Sequence, residues 1–169
     1  MAGFSTRNRL GLKVVPHESN SSVWFEVQVV KGTDLFHPHE NPGGKFFTSE
    51  KIALALEKNA AVWKRNKGTL GIIALEKQGN ENALEFMAFS PYPKDYSTDF
   101  GKLGIGAVTE FMALRHLLGK YADWQVRHGI MVSEPREEHL ARLGIGVENV
   151  MSVAERFRRV SDYLKKRFE

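Results

Sequence analysis

Alternating apolar and polar positions over residues 22–30, which read SVWFEVQVV, form the clearest hydrophobic pattern in the chain. Such alternation, rich in β-branched and aromatic residues, is typical of a half-buried β-strand. Residues 69–76 (TLGIIALE) and 83–89 (ALEFMAF) have the same character, and the polar stretch 77–82 between them contains a Gly-Asn pair. We therefore predict a β-hairpin over these two segments, and a further strand over residues 124–132.

Apolar residues at helical spacing predict a first helix after this first strand. Its apolar stripe consists of Ile52, Leu56, Ala60 and Trp63. Thr48 or Ser49 can cap the first amides, and Gly68 can adopt the left-handed conformation that ends a helix. Residues 37–44 before it (HPHENPGG) contain two prolines and a glycine pair, so they are predicted as a loop.

Three further helices are predicted in the second half of the chain. One starts in the Gly-rich stretch near residue 104 and runs to Leu118, with Gly119 ending it. A short helix capped by Ser133 ends at Gly144. The tail over residues 147–169 forms a long amphipathic helix with a basic outer face. Its apolar stripe consists of Val153, Phe157, Val160, Leu164 and Phe168.

This order of elements predicts one α/β (α+β) domain spanning residues 1–169. A mixed, mostly antiparallel central sheet flanked by helices is the layer arrangement that buries these apolar faces. Residues 1–12 are expected to be a frayed start, although their basic, Ser/Thr-containing composition also allows a mitochondrial presequence.

Composition narrows the class of protein further. Hydrophobic residues make up 42% and charged residues 26%, which is typical of a globular domain. The absence of cysteine excludes disulfides, thiolate metal ligands and a cysteine nucleophile, and it fits a cytoplasmic location. No apolar run is long enough to span a bilayer. A net charge of +4 favours an anionic partner.

The Gly-rich turn over residues 101–108 (GKLGIGAV) is the strongest candidate binding motif. The first amides of a helix have no intrahelical acceptor and the helix dipole is positive there, so phosphates bind at such a turn. Lys102 can add positive charge. No Gly-Lys-Ser/Thr closes the segment as in a Walker A loop, and Gly104 and Gly106 do not complete the dinucleotide motif G-x-G-x-x-G.

Residues 101–145 resemble the cofactor-binding region of the GNAT superfamily of acyl-CoA-dependent N-acyltransferases. Members have Gln/Arg-x-x-Gly-x-Gly/Ala, a helix, a strand, and a short helix ending in a Leu-Gly-Phe-like sequence. Gly104 and Gly106 match the two glycines, residues 124–132 match the strand, and residues 140–145 (LARLGI) match the helix end. The chain differs from the pattern at Gly101, and after residue 145, where the family has two strands.

The resemblance implies a GNAT-like fold with acetyl-CoA or another acyl-CoA as co-substrate and an amine as acceptor. It implies that the backbone amides of Lys102, Gly104, Gly106 and Ala107 hold the pyrophosphate. It also implies that a splayed strand between Met87 and Phe89 polarises the thioester carbonyl.

The same resemblance calls for a base that deprotonates the amine and an acid that protonates the leaving thiolate. Glu85 lies on the strand predicted over residues 83–89 and is the candidate base. The alternating pattern of this strand is also consistent with Glu85 on its solvent-exposed face. Leu140 occupies the position at which many members of the family have the tyrosine that protonates the thiolate. His139 and His128 are therefore the candidate acids, since histidine titrates near neutrality; each can equally be a surface histidine.

One loop of the chain has the composition of a metal site. Asp34, His37, His39 and Glu40 form a metal-like cluster, but no third ligand is fixed by spacing, so no metal site is assigned.

The C-terminal helix has three interpretations: packing on the sheet, contact with nucleic acid or an anionic membrane, or dimerisation. The alternative function is thus a non-catalytic binding module that contacts nucleic acid or a protein through Arg158, Arg159, Lys165 and Lys166.

Overall fold

The computed structural model describes residues 9–33, 35–37, 43–92, 103–128, 140–146 and 150–167. Its strands are β1 (Arg9–Glu18), β2 (Ser22–Gly32), β3 (Thr69–Gln78), β4 (Ala83–Ser90), β5 (Gln125–His128) and β6 (Met151–Ser152). Its helices are α1 (Glu50–Lys58), α2 (Ala60–Arg65), α3 (Ile105–Tyr121) and α4 (Val153–Arg167). None of the helices in these ranges combines the length and the apolar composition needed to cross a membrane.

The six strands form one sheet in chain order, from β1 to β6. All neighbouring strands are antiparallel except β4 and β5, which are parallel. A parallel pair needs a long crossover connection, and α3 lies within it. The predicted mixed, mostly antiparallel sheet with flanking helices and a C-terminal helix is confirmed.

The two faces of the sheet differ in burial. Side chains of the first face pack with residues of α1, α3 and α4 in one hydrophobic core. The most buried of them are Leu12 of β1, Val23, Phe25 and Val27 of β2, Ile73 and Leu75 of β3, Leu84 of β4 and Val126 of β5. On the second face, Trp24, Glu26, Glu76, Glu85 and Arg127 are only half-buried. Antiparallel sheets commonly bury one face in this way.

The helix predicted after residue 48 is present but divides in two. Ser49, not Thr48, is the N-cap, and its hydroxyl accepts from the Ile52 amide at 3.1 Å. Thr48 instead donates to the Leu10 carbonyl oxygen. The backbone breaks at Asn59, and the second piece ends before Gly68, which has a φ of +89° as predicted.

Three boundaries differ from the predictions. β1 includes residues 9–12 of the segment expected to be frayed, and it pairs with β2 from Val23 to Gly32. α3 continues through Gly119 to Tyr121, because Leu117 and Tyr121 are buried in the core on either side of that glycine. α4 begins at Val153 rather than near residue 147, and β6 immediately precedes it.

A charged network fastens the end of β1 to β3 and α3. Glu18 Oε2 accepts from Lys77 Nζ at 2.6 Å, from the Tyr121 hydroxyl at 2.5 Å and from Lys120 Nζ at 3.0 Å. The hydrogen bond from Lys77, followed by those from Tyr121 and Lys120, lowers the pKa of Glu18 from 4.5 to about 2. The carboxylate therefore favours the folded state.

Replacing Glu18 with glutamine is expected to lower the free energy of unfolding at pH 7 by about 1–2 kcal/mol, because the side chain is 32% exposed and solvent screens part of the gain. A depressed pKa in the folded state contributes stability above the unfolded pKa. The contribution is lost as the pH falls from 4.5 towards 2. Urea unfolding of both proteins across this range should show their difference shrinking, and a difference independent of pH would contradict the assignment.

Candidate functional site

The N-terminus of α3 lies in a Gly-rich turn, as predicted. Gly104 is the N-cap residue and has a φ of +77°, a conformation that favours glycine. The first helical hydrogen bond runs from the Val108 amide to the Gly104 carbonyl oxygen at 3.0 Å. Within the described ranges, the amides of Ile105, Gly106 and Ala107 donate to no acceptor, and Gly104 has no side chain that could cap them.

The end of β4 lies beside this turn. A Cβ atom added to Gly106 would stand 3.6 Å from the ring of Phe89, so this ring lies close to the start of α3 with room for about one methyl group between them. Phe89 is half-buried there, and the neighbouring Met87 is 63% exposed. The structure thus brings Phe89, Gly104, Gly106 and Ala107 together.

A β-bulge interrupts β4 at the same point. Phe86 pairs with Leu75 of β3, but Ala88 pairs with Ala74, so Met87 is an extra residue without a partner position. On the other side of β4, the parallel pairing with β5 in the described ranges ends at Phe86 and His128. A bulge bends its strand and increases the local twist. β4 therefore changes direction at Met87.

Arg167, at the end of α4, adds a positive charge next to the α3 turn. A Cβ atom on Gly104 would stand 2.7 Å from Nε of Arg167, so a larger residue at position 104 would displace the guanidinium from its place against the turn. Arg167 Nη1 also donates to the Tyr163 hydroxyl at 3.2 Å. The start of α3 thus has its own dipole and a cationic side chain on the same side.

One turn further along α3, a buried ion pair connects α3 with α4 and β5. Glu110 and Arg156 are each 1% exposed, and Arg156 Nε donates to Glu110 Oε2 at 2.6 Å. Arg156 Nη1 lies 2.8 Å from His128 Nε2. Because a guanidinium only donates, this nitrogen of His128 must be the acceptor, which places the proton of a neutral imidazole on Nδ1.

Aromatic contacts complete this buried cluster. The rings of Phe86 and His128 are stacked with centroids 5.4 Å apart, and the guanidinium carbon of Arg156 lies 5.4 Å from the Phe86 centroid. Arg156 Nη2 is buried without a hydrogen-bond acceptor in the part of the chain described here. The amphipathic pattern predicted a basic outer face for this helix, but Arg156 is 1% exposed and belongs to the buried side. Arg156 lies three residues after Val153 and four before Val160, which is the spacing of the buried stripe.

The remaining predicted site residues are not all gathered at the turn. Glu85 projects from the second face of the sheet, in register between Glu76 of β3 and Arg127 of β5. It therefore points away from the face on which α3 packs. Lys102 and His139 lie outside the described residues.

The predicted end of the short helix is confirmed at Gly144, which has a φ of +73°. The amides of Gly144 and Ile145 donate to the carbonyl oxygens of Ala141 and Leu140 at 3.0 Å and 2.9 Å. This pair of bonds is the Schellman motif, and the side chains of Leu140 and Ile145, which flank it, are both buried.

The histidine-rich loop yields no metal centre in the part that can be described. His37 is described, but Asp34, His39 and Glu40 lie outside the described residues. In the described ranges, no three His, Cys, Asp or Glu side chains converge to hold an ion.

Comparison of the chain with models of known protein families, with curated proteins and with solved structures finds no match.

Proposed function

We propose that the protein is an acyl-CoA-dependent N-acyltransferase, which transfers an acetyl or longer acyl group to an amine. One observation carries the proposal: the start of α3 lies beside the β-bulge at Met87 of β4. Three amides at this helix start donate to no acceptor among the described residues. An acyl-CoA contains an anionic diphosphate and a thioester. The diphosphate matches the amides at the start of α3, and the thioester matches the bulged end of β4.

The diphosphate would bind at the start of α3. The amides of Ile105, Gly106 and Ala107 would donate to its oxygens, and the positive end of the helix dipole favours its charge. The guanidinium of Arg167, next to Gly104, supplies a countercharge. Small residues at 104 and 106 let the diphosphate approach the backbone.

The acyl group would lie at the end of β4, where the backbone between Met87 and Phe89 polarises the thioester carbonyl. Glu85 is on the opposite face of the sheet, so the amine would approach from that face. The amine nitrogen attacks the carbonyl carbon, the C–N bond forms and the C–S bond breaks. Glu85 accepts the amine proton through water, and the leaving thiolate takes a proton from solvent. If the variant Glu85→Gln transfers the acyl group at the native rate, Glu85 is not the base.

A thermal-shift series tests the proposal. Acetyl-CoA or a longer acyl-CoA at about 100 times its Kd should stabilise the protein by about 2.7 kcal/mol, which raises the Tm by roughly 5–10 °C for a domain of this size. Acyl-pantetheine, which lacks the diphosphate, should give no shift at the same concentration. The absence of a shift with every acyl-CoA at millimolar concentration would refute the proposal.

A further inference from the structure

A basic groove lies between the helix end at Gly144 and the outer side of α4. Arg142 and Leu143 line one wall, and side chains of α4 between residues 158 and 166 line the other, around a volume of about 270 Å³. Arg159 Nη1 donates to the Gly144 carbonyl oxygen at 2.6 Å, and this hydrogen bond connects the two walls. The groove is therefore a built feature of the fold, formed by two separate segments.

The charges of this groove are unbalanced. Arg142, Arg158, Arg159 and Lys166 line it, and Asp162 is the carboxylate among its described lining residues. Arg158 and Arg159 pair with Glu155, and Arg158 also lies 3.3 Å from Asp162. Arg142 and Lys166, by contrast, have no carboxylate of a described residue within 4.0 Å. Arg142 and Lys166 can therefore bind an anionic ligand.

One side chain, Arg167, connects the groove with the start of α3. Tyr163 lines the groove, and its hydroxyl accepts from Arg167 Nη1 at 3.2 Å. The same Arg167 side chain lies against Gly104, where the diphosphate is proposed to bind. A ligand whose diphosphate lies at Gly104 can thus extend along the last turn of α4 into the groove.

We propose that this groove binds the 3′-phosphate of the coenzyme A nucleotide, with Arg142 and Lys166 as its ligands. The inference rests on the proposed function, because it takes CoA as the ligand of the α3 turn. The 3′-phosphate is a monoester that carries close to two negative charges at neutral pH. Arginine binds such a group with two parallel hydrogen bonds, and lysine adds a point charge.

The test compares the Kd values of CoA and 3′-dephospho-CoA, which differ only in this phosphate. The native protein is expected to bind CoA roughly 10- to 100-fold more tightly. In the variant Arg142→Ala/Lys166→Ala, the two Kd values should become equal, and the affinity for 3′-dephospho-CoA should stay at the native level. A matched control, Lys51→Ala/Lys58→Ala, removes two exposed cations of α1 and should keep the native preference.

The outcomes separate this inference from the proposed function. Equal binding of both compounds by the native protein would overturn the inference and leave the diphosphate site standing. A preference retained in Arg142→Ala/Lys166→Ala would also overturn it, because another group would then recognise the phosphate. Failure of the native protein to bind either compound would overturn the proposed function and the inference together.

Discussion

Replacing Arg156 with alanine is expected to lower the free energy of unfolding by about 3–5 kcal/mol. The cost arises because Glu110, 1% exposed, would lose the guanidinium that balances its buried charge. His128 would lose the donor to its Nε2 as well. Since a domain of this kind is stable by roughly 5–15 kcal/mol, urea unfolding should detect the change easily.

Two further variants test the burial of this ion pair even if Arg156→Ala does not fold. The double variant Glu110→Leu/Arg156→Met replaces both charges with apolar side chains, and it should be about as stable as the native protein or more so. Arg158→Ala, on the exposed side of the same helix, should have a much smaller effect than Arg156→Ala. Equal effects of Arg156→Ala and Arg158→Ala would show that the ion pair is not buried as described.

Replacing Gly106 with glutamate is expected to weaken acyl-CoA binding by roughly 1,000-fold. Two like charges about 4 Å apart near a protein surface repel each other by about 4 kcal/mol, and each 1.4 kcal/mol is a tenfold change in Kd. The fold should tolerate the change, because the new Cβ would make only an ordinary contact with Phe89 at 3.6 Å. An acidic side chain in the first turn of α3 also favours the helix.

The matched control for this variant is Gly79→Glu, since Gly79 has no atom within 4 Å of its built Cβ and lies in the turn between β3 and β4. Calorimetric titration of both variants with acetyl-CoA should show binding by Gly79→Glu and none by Gly106→Glu. If Gly106→Glu binds with the native affinity, the ligand does not use the start of α3.

Much of the fold follows from local patterns in the sequence. The β3–β4 hairpin was predictable because both strands alternate and a polar turn separates them. β1 was not predicted, although Leu10, Leu12 and Val14 alternate; its Pro16 is a residue that argues against a strand in sequence alone. Proline is tolerated in β1 because β1 is an edge strand, a fact that only the tertiary structure supplies.

The site was predictable only in part, for a related reason. The Gly-rich turn and the start of α3 follow from local sequence. The bulge at Met87 depends on how β4 registers against β3, which no pattern within β4 specifies. The ion pair of Glu110 with Arg156 joins residues far apart in the chain, and a charged residue in an amphipathic helix is ordinarily assigned to its outer face.

The central claim is that the first amides of α3 bind a diphosphate, and an amide NMR titration with acetyl-CoA tests it most directly. We predict saturable shifts of the Ile105, Gly106 and Ala107 resonances, with the same three moved by inorganic pyrophosphate at higher concentration. Resonances that stay fixed at millimolar acetyl-CoA, or binding that moves other residues while these three remain unchanged, would contradict the claim.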